Sequence, residues 1–156
     1  MIRIRKATID DGQAAWDVRR EAVLAQCVSM YPLELLNAWT SNGPSANWID
    51  TVAKSFWVAV DGDEVVATCM LTVETGKVDA IFVRPTHMKR GVGAFVMQFV
   101  ETMARRHGLA ALTLEATLNA APFYRRCGFS GDKVEKYRSP RGLALDCIPM
   151  VKQLDS

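Results

Sequence analysis

The sequence predicts an α/β domain: a mixed, mostly antiparallel sheet flanked by helices, with a central βαβ unit. Three stretches carry that prediction. Residues 56–83 hold three apolar, β-compatible runs separated by Asp61-Gly62-Asp63 and Glu74-Thr75-Gly76-Lys77, the pattern of an antiparallel meander. Residues 78–116 then read strand, glycine loop, amphipathic helix, strand, and such a connection favours a parallel neighbour. At the start of the chain, Ile2 and Ile4 alternate with Arg3 and Arg5, as in a half-buried first strand.

The elements follow in order. Ala7 to Asp11 supplies cap residues for a helix from Gly12 to Gln26. Its inner face is assigned to Ala15, Val18, Ala22 and Ala25, with Trp16 and Val23 beside it, and Arg19, Arg20 and Glu21 to the solvated face. Pro32 favours a helix start, with Leu33, Leu36 and Trp39 on one face. Thr40 to Pro44 is a loop signal, and Ser45 can cap a short helix carrying Trp48, Ile49 and Val52. Tyr31, Trp39 and Trp48 read either as core aromatics or as the wall of a substrate pocket. Phe56 to Val60, Glu64 to Val73 and Val78 to Val83 are the meander strands.

Beyond the glycine loop, Val92, Phe95, Val96, Phe99, Val100 and Met103 recur at the spacing of one helix face. Arg105, Arg106 and His107 suit the negative end of that helix, and Gly108 is its stop. Leu112, Leu114 and Ala116 alternate as a strand. A loop leads into a short helix with Pro122 near its start. Val134 to Tyr137 is a strand, Ser139 to Gly142 a turn, and Leu143 to Leu154 a last strand in which Pro149 hints at an edge or bulge.

At 156 residues the chain is read as a single domain, 1–156, long enough for a real core. Apolar residues make up 49% and charged residues 23%, an ordinary soluble balance, and the net charge of +2 is too small and too dispersed to argue for nucleic acid. No apolar run approaches the ~18 residues of a membrane span, and no signal-peptide pattern opens the chain. Cys27, Cys69, Cys127 and Cys147 form no C-x-x-C pair and are read as reduced thiols. With His87 and His107 they show no metal-ligand spacing, so no metal is expected. The expected localisation is cytoplasmic, without membrane or nucleic-acid partners.

The chemistry begins at the glycine loop. Lys89-Arg90-Gly91-Val92-Gly93-Ala94 opens a helix, where unpaired N–H groups and the helix dipole favour an anion, and glycines let it approach the backbone. The residues alone leave a simple strand-to-helix turn as the alternative. Two phosphate fingerprints fail. Val96 stands where the dinucleotide motif needs its third glycine, and the P-loop pattern is absent.

Ile81-Phe82-Val83-Arg84-Pro85, Lys89-Arg90-Gly91-Val92-Gly93 and the element Asn119-Ala120-Ala121-Pro122-Phe123-Tyr124-Arg125-Arg126-Cys127-Gly128-Phe129 together resemble the GCN5-related N-acetyltransferase (GNAT) superfamily. The last element is similar to the family's N-x-x-A-x-x-F-Y-x-x-x-G-F pattern. The resemblance implies a GNAT-type fold over nearly the whole length, acetyl-CoA as cosubstrate, and direct transfer of the acetyl group to a primary amine of a small molecule or peptide. It further implies that the backbones of Ile81, Phe82 and Val83 pair with the pantetheine arm, at a strand edge that a bulge could splay open. An amide near Val83 would polarise the thioester carbonyl, residues Lys89 to Ala94 would hold the pyrophosphate, and Asn119 would bond the cofactor arm. A turn or helix-cap role is the other reading of Asn119. Homodimers are frequent in the family.

One departure is Met88, at a place where the family loop usually carries Gln or Arg; Lys89 or Arg90 could compensate. Tyr124 matches the family tyrosine that serves the leaving thiolate, as a hydrogen-bond donor or with a lowered pKa. For the general base, Glu74, Asp79 and Glu115 stand on or beside the central strands, and Asp79 is preferred because it alternates with Ile81 and Val83. His87 is read as a loop residue near the phosphates. Arg84, Lys89, Arg90, Arg125 and Arg126 are read as phosphate contacts or as solvated charges. The rival from another class is a catalytically silent acyl-CoA binder acting as a sensor or interaction module. A nucleotide-binding protein of another fold is the third reading, disfavoured by the failed fingerprints.

Overall fold

Strand β1 (Ile2–Lys6) pairs antiparallel with β2 (Phe56–Asp61), β2 with β3 (Glu64–Thr72), and β3 with β4 (Lys77–Val83). The predicted meander is therefore present, with β1 added on its outer edge. A computed structural model describes residues 1–41, 43–138 and 144–154. Among these, the sheet continues through β5 (Ala111–Ala116), β7 (Ala144–Gln153) and β6 (Glu135–Arg138), in the order β1-β2-β3-β4-β5-β7-β6. Among the described residues, strands β4 and β5 form the one parallel pair, as expected for a βαβ unit. The turn assigned to Ser139 to Gly142 lies outside the described residues, as does Leu143 at the start of the predicted last strand.

Helices α1 (Gly12–Gln26), α2 (Leu33–Trp39) and α3 (Ala46–Ser55) precede the meander, α4 (Val92–Arg106) is the crossover, and α5 (Ala121–Arg126) follows β5. Local signals set several of these boundaries. Thr8 and Asp11 form a capping box before α1, with the Asp11 carboxylate accepting from the Thr8 N–H at 2.8 Å. The Ser45 hydroxyl accepts from the Trp48 N–H at 3.0 Å, the cap expected for α3.

The helices cover both faces of the sheet. On one side α4 buries Val96, Met97 and Val100 against Leu112 and Met150. On the other, Ala15 and Val18 of α1 and Val52 of α3 pack on Phe56, Val58 and Val60. Each large side chain so enclosed contributes about 1.5–3 kcal/mol. A third cluster, with Val23, Cys27, Tyr31, Leu36 and Leu145, joins the α1–α2 region to β7.

Two expected faces are corrected. The buried stripe of α4 is Val92, Val96, Met97, Val100 and Ala104, while Phe95 is 42% exposed. The shared positions 92, 96 and 100 allow either flank, and packing selected the one where Ala104 lets the helix lie close to the sheet. In α1, Ala25 is exposed and Cys27, just past the helix, takes the buried place. Pro149 lies inside β7, between the last pair to β6 at Cys147 and the Ser130↔Val151 bridge. That side of β7 has no ladder partner at Pro149, so the missing N–H costs nothing there.

Candidate active site

The site grows out of a defect in β4. Opposite Met70 stands Asp79, and opposite Thr68 stands Phe82, so both Ala80 and Ile81 face the single residue Cys69. This is a β-bulge. Ala80 takes a left-handed φ of 57°, and the Thr68 hydroxyl donates to its carbonyl at 2.6 Å. A non-glycine residue in this region costs about 1–2 kcal/mol. The bulge also corrects an expectation: Asp79 shares a face with Phe82, not with Ile81 and Val83, because the extra residue resets the alternation.

Beyond the bulge the sheet opens. Strands β4 and β5 pair only at Lys77↔Thr113, beside a bond from the Thr113 N–H to Gly76 O at 3.0 Å, and then diverge. The N–H of Arg84 bonds Val66 O on the β3 side at 2.8 Å. Strand alternation turns the backbone groups of Val83 and Ile81 the other way, into the gap.

The glycine loop lies at the far end of β4. Met88 follows a 3-10 turn, Lys89 and Gly91 both have left-handed φ (61° and 81°), and α4 starts at Val92 without a side-chain cap. The uncapped first turn presents its N–H groups to whatever lies before it. The two glycines differ. A Cβ on Gly91 would meet open space, whereas a Cβ on Gly93 would lie 3.1 Å from the Phe123 ring. Gly93 therefore admits a side chain of α5, and only Gly91 leaves an approach open. Lys89, Arg90 and Ala94 are exposed and Val92 is buried. The sulfur of Met88 accepts from the Gln26 amide at 3.0 Å, so the end of α1 touches the loop.

Several cations and His87 are used inward. Arg84 donates to Val65 O at 2.7 Å and to Glu21 at 2.5 Å, and its side chain is 14% exposed. It clamps β3 to α1, which removes it from the phosphate contacts. Arg125 donates to Gly131 O at 3.1 Å, while Arg126 stays exposed. His87 is buried and ties the loop to the end of β2 through Asp61 at 2.9 Å, with Thr86 on its other ring nitrogen.

A cavity of about 480 Å³ opens where β4 and β5 part, between the sheet and helices α1 and α3. Asp79, Ile81, Phe82 and Tyr124 line it, as do Trp39 and Trp48. Tyr31 does not. It is buried, its hydroxyl donating to Asp146 O and accepting from the Leu118 N–H at 3.0 Å, so it braces the loop after β5 against β7. Glu115 lines the cavity, whereas Glu74 is exposed in the β3–β4 turn.

Burial raises the Asp79 carboxyl above the usual range; Lys77, 3.9 Å away, opposes this and Glu115 adds to it. Burial pushes the Tyr124 phenol well up, and its ring lies edge-on to Phe123 and Phe129. Burial favours the protonated phenol and so argues for the donor reading of Tyr124 over the lowered pKa. The Cys27 thiol, also lining the cavity, is pushed up to about 11 by burial, against hydrogen bonds with Thr117 and Asn119. Asn119 itself does not line the cavity; its Oδ1 is buried and has no hydrogen-bond partner among the described residues. Cys27, Cys69, Cys127 and Cys147 are all free thiols.

Sequence reasoning missed Arg19, Trp16 and Asp146, which also line the cavity. The i, i+3 spacing of Trp16 and Arg19 on one helix was the available signal for the first two. Asp146 carries no local signal, since only the β5–β7 pairing brings it to this wall.

Comparison with known proteins agrees with this geometry. Residues 53–131 match the family model of the acetyltransferase (GNAT) domain. An N-acetyltransferase of Escherichia coli K12, YafP, named as uncharacterized, is 26% identical over 137 residues, covering 86% of this chain and 85% of its own. The fold is shared with a GCN5-related N-acetyltransferase of Rhodopseudomonas palustris at a TM-score of 0.88 and 21% identity, over 97% of this chain and 95% of that one. The PaiA N-acetyltransferase of Thermoplasma acidophilum, solved in complex with coenzyme A, superposes at a TM-score of 0.77 and 19% identity, over 98% and 99% of the two chains. With a family model spanning half of its length, the opened β4–β5 edge and the uncapped glycine helix, the chain belongs to the GNAT acetyltransferase family.

Proposed function

We propose that this protein transfers the acetyl group of acetyl-CoA directly to a primary amine of a small molecule or peptide. The observation that carries the reading is the bulge at Ala80 with the divergence of β4 from β5, which leaves a strand edge open beside an uncapped helix start and above Tyr124.

The residues present fit the cosubstrate. The backbone groups of Ile81 and Val83 offer an added-strand edge for the amides of a pantetheine arm. Phe82, between them, places its side chain in the cavity. The first turn of α4, Val92 to Ala94 behind the open Gly91, suits a pyrophosphate, with the exposed Lys89 and Arg90 adjacent. The buried, unpartnered Oδ1 of Asn119 suits an amide donor of the arm. Acetyl-CoA supplies the activated thioester.

The chain supplies the proton management. Asp79, its carboxyl raised by burial, is suited to take a proton from the incoming ammonium, which frees the nitrogen lone pair to form the C–N bond. Tyr124 donates a hydrogen bond to the sulfur as the C–S bond breaks, and the N–H of Val83 steadies the oxyanion between these events. The test is turnover of acetyl-CoA by the purified protein over polyamines, aminoglycosides, amino acids and peptide N-termini, read by free thiol release, with calorimetric titration of CoA alongside. Thiol release that depends on an amine supports the reading. Absence of CoA binding, or binding without turnover on any amine, rejects it.

A further inference from the structure

The acids of the cavity are not equally available. Among its described lining residues they are Asp79, Glu115 and Asp146. Two of them already hold cations: Glu115 binds the Lys77 ammonium at 2.8 Å, and Asp146 pairs with Lys136. Asp79 differs. Lys77 stands 3.9 Å from it, held more closely by Glu115, and no hydrogen-bond donor among the described residues reaches the Asp79 carboxylate. The cavity thus offers a ligand one under-paired anion. The wall beside that anion is apolar. Met70 stands directly opposite Asp79 across the strands, and Phe56 opposite Met70, so the three share a face, with Phe82 on it as well. Trp48 meets Phe56 edge-on at 5.3 Å. Arg19 belongs to the wall itself, its guanidinium carbon 5.4 Å from the Trp39 ring and 6.0 Å from the Trp48 ring, and it donates to Trp39 O at 3.0 Å. Met70, Phe82, Trp39 and Trp48 all line the cavity and are only half-buried. Two strand spacings, about 10 Å, separate Asp79 from Phe56.

One anion at the start of a long apolar wall selects one kind of acceptor. We infer that the acceptor is a monoamine with an apolar body, an arylethylamine or a medium-length alkylamine, whose ammonium meets Asp79 and whose body lies along Met70, Phe82 and Trp48. This rests on the acetyl-transfer reading above and narrows it. An amine two carbons from a phenyl or indole ring covers most of the reach from Asp79 towards Trp48, whereas ethylamine leaves the wall beyond Met70 wet. Water released from both the ring and the wall favours the longer body. A half-buried indole also offers an aromatic body an edge-on or offset contact. Polyamines and aminoglycosides bring further ammonium groups to a wall whose other acids are already paired, so each is desolvated without a partner. The reaction balances without a further reagent. The ammonium gives one proton to Asp79 and so to solvent. A second leaves the nitrogen once the C–N bond has formed and ends on sulfur as the C–S bond breaks. The products are the amide, CoA as its thiol and one proton.

The experiment uses matched acceptors on the intact protein, read by free thiol release and corrected for the pKa and the number of amines in each. Phenethylamine is compared with ethylamine, which removes the body. Hexylamine is compared with hexamethylenediamine, which keeps the reach and adds a second charge. The expected result is a kcat/KM higher by about tenfold or more for the first member of each pair. In Met70→Ala the ratio of phenethylamine to ethylamine falls towards one. A purely structural role for Met70 would lower both acceptors together and leave the ratio unmoved, which overturns the assignment of this wall. Ethylamine or the diamine turning over as fast as its counterpart in the unmodified protein overturns the inference, while leaving acetyl transfer standing. So does a peptide N-terminus preferred over every small monoamine. The matched pairs on the unmodified protein decide the matter even if Met70→Ala folds poorly. Silence on every amine despite CoA binding defeats acetyl transfer and this inference with it.

Discussion

Removing the Tyr124 hydroxyl separates its chemical role from its packing role. In Tyr124→Phe the ring keeps its edge-on contacts with Phe123 (5.2 Å between centroids) and Phe129 (5.9 Å). Among the described residues no hydrogen bond ends on the hydroxyl, so its loss orphans no buried partner and the melting temperature stays within experimental error. The catalytic cost follows from the protonation state. An ordinary phenol near pKa ~10 facing a thiol near ~8.5 makes full proton transfer uphill by roughly 2 kcal/mol. Burial raises the Tyr124 phenol further, so transfer is costlier still. What remains is a hydrogen bond to a developing thiolate, worth about 1.5–3 kcal/mol. The variant should therefore lose about 10- to 150-fold in kcat, with CoA affinity nearly unchanged. The assay is free thiol release at saturating acetyl-CoA across pH 6–10, with a thermal melt of each protein. The unmodified enzyme should show no alkaline fall assignable to the phenol in that range. A variant with full kcat and intact CoA binding would sink the reasoning, as would a loss that coincides with a lowered melting temperature.

Three further outcomes follow from the same contacts. Asp79→Asn should flatten the acidic limb of kcat/KM: the raised carboxyl of Asp79 makes that limb lie above the ordinary aspartate range near ~3.9, and a pH profile of the variant that keeps the limb assigns the base elsewhere. Asp11→Asn should destabilise the fold by about 2–3 kcal/mol at pH 7, because the carboxylate accepts from Arg5 at 2.8 and 3.0 Å and from the Thr8 N–H at 2.8 Å. Arg5 holds the Asp11 carboxyl below its usual value, so its stabilisation is complete above the unfolded pKa and is lost as pH falls through the lower folded one. Urea melts of the two proteins should thus converge across that acidic window and stay apart at pH 7. Gly76→Ala should cost more than 2 kcal/mol in the same melts. The added Cβ would lie 2.5 Å from the Ala111 carbonyl oxygen, at a left-handed φ of 79°, where β4 and β5 make their one pairing.

The legible part of the molecule was what repeats locally. The bounds of α1 were readable from its cap and its periodic apolar residues, and α3 from Ser45, because a side-chain hydroxyl meets a backbone N–H within one turn. The meander was readable because its turns are short and its strands are neighbours in sequence. The glycine loop was legible as a helix start, but the division of labour between its glycines was not. Gly93 makes room for Phe123, a residue thirty positions later that only the α4–β5–α5 fold brings back. The side chosen by α4 was likewise hidden, since Phe95 and Met97 are both apolar and only the sheet beneath decides between them.

By itself the sequence determined the class of fold and a glycine-opened helix start, since these follow from chain-local spacing; it singled out Tyr124 through a family resemblance and Asp79 through an alternation that the bulge overturns. The tertiary structure decided what those residues can do. A bulge that turns Asp79 to the face of Phe82 is a mismatch between two strands, so it has no signature in either strand alone. The raised phenol of Tyr124 and the raised carboxyl of Asp79 arise from burial, which is a property of everything packed around them. Arg19 joined the cavity wall for the same reason: on an isolated α1 it is a solvated charge, and only α2 and α3 bring Trp39 and Trp48 against it.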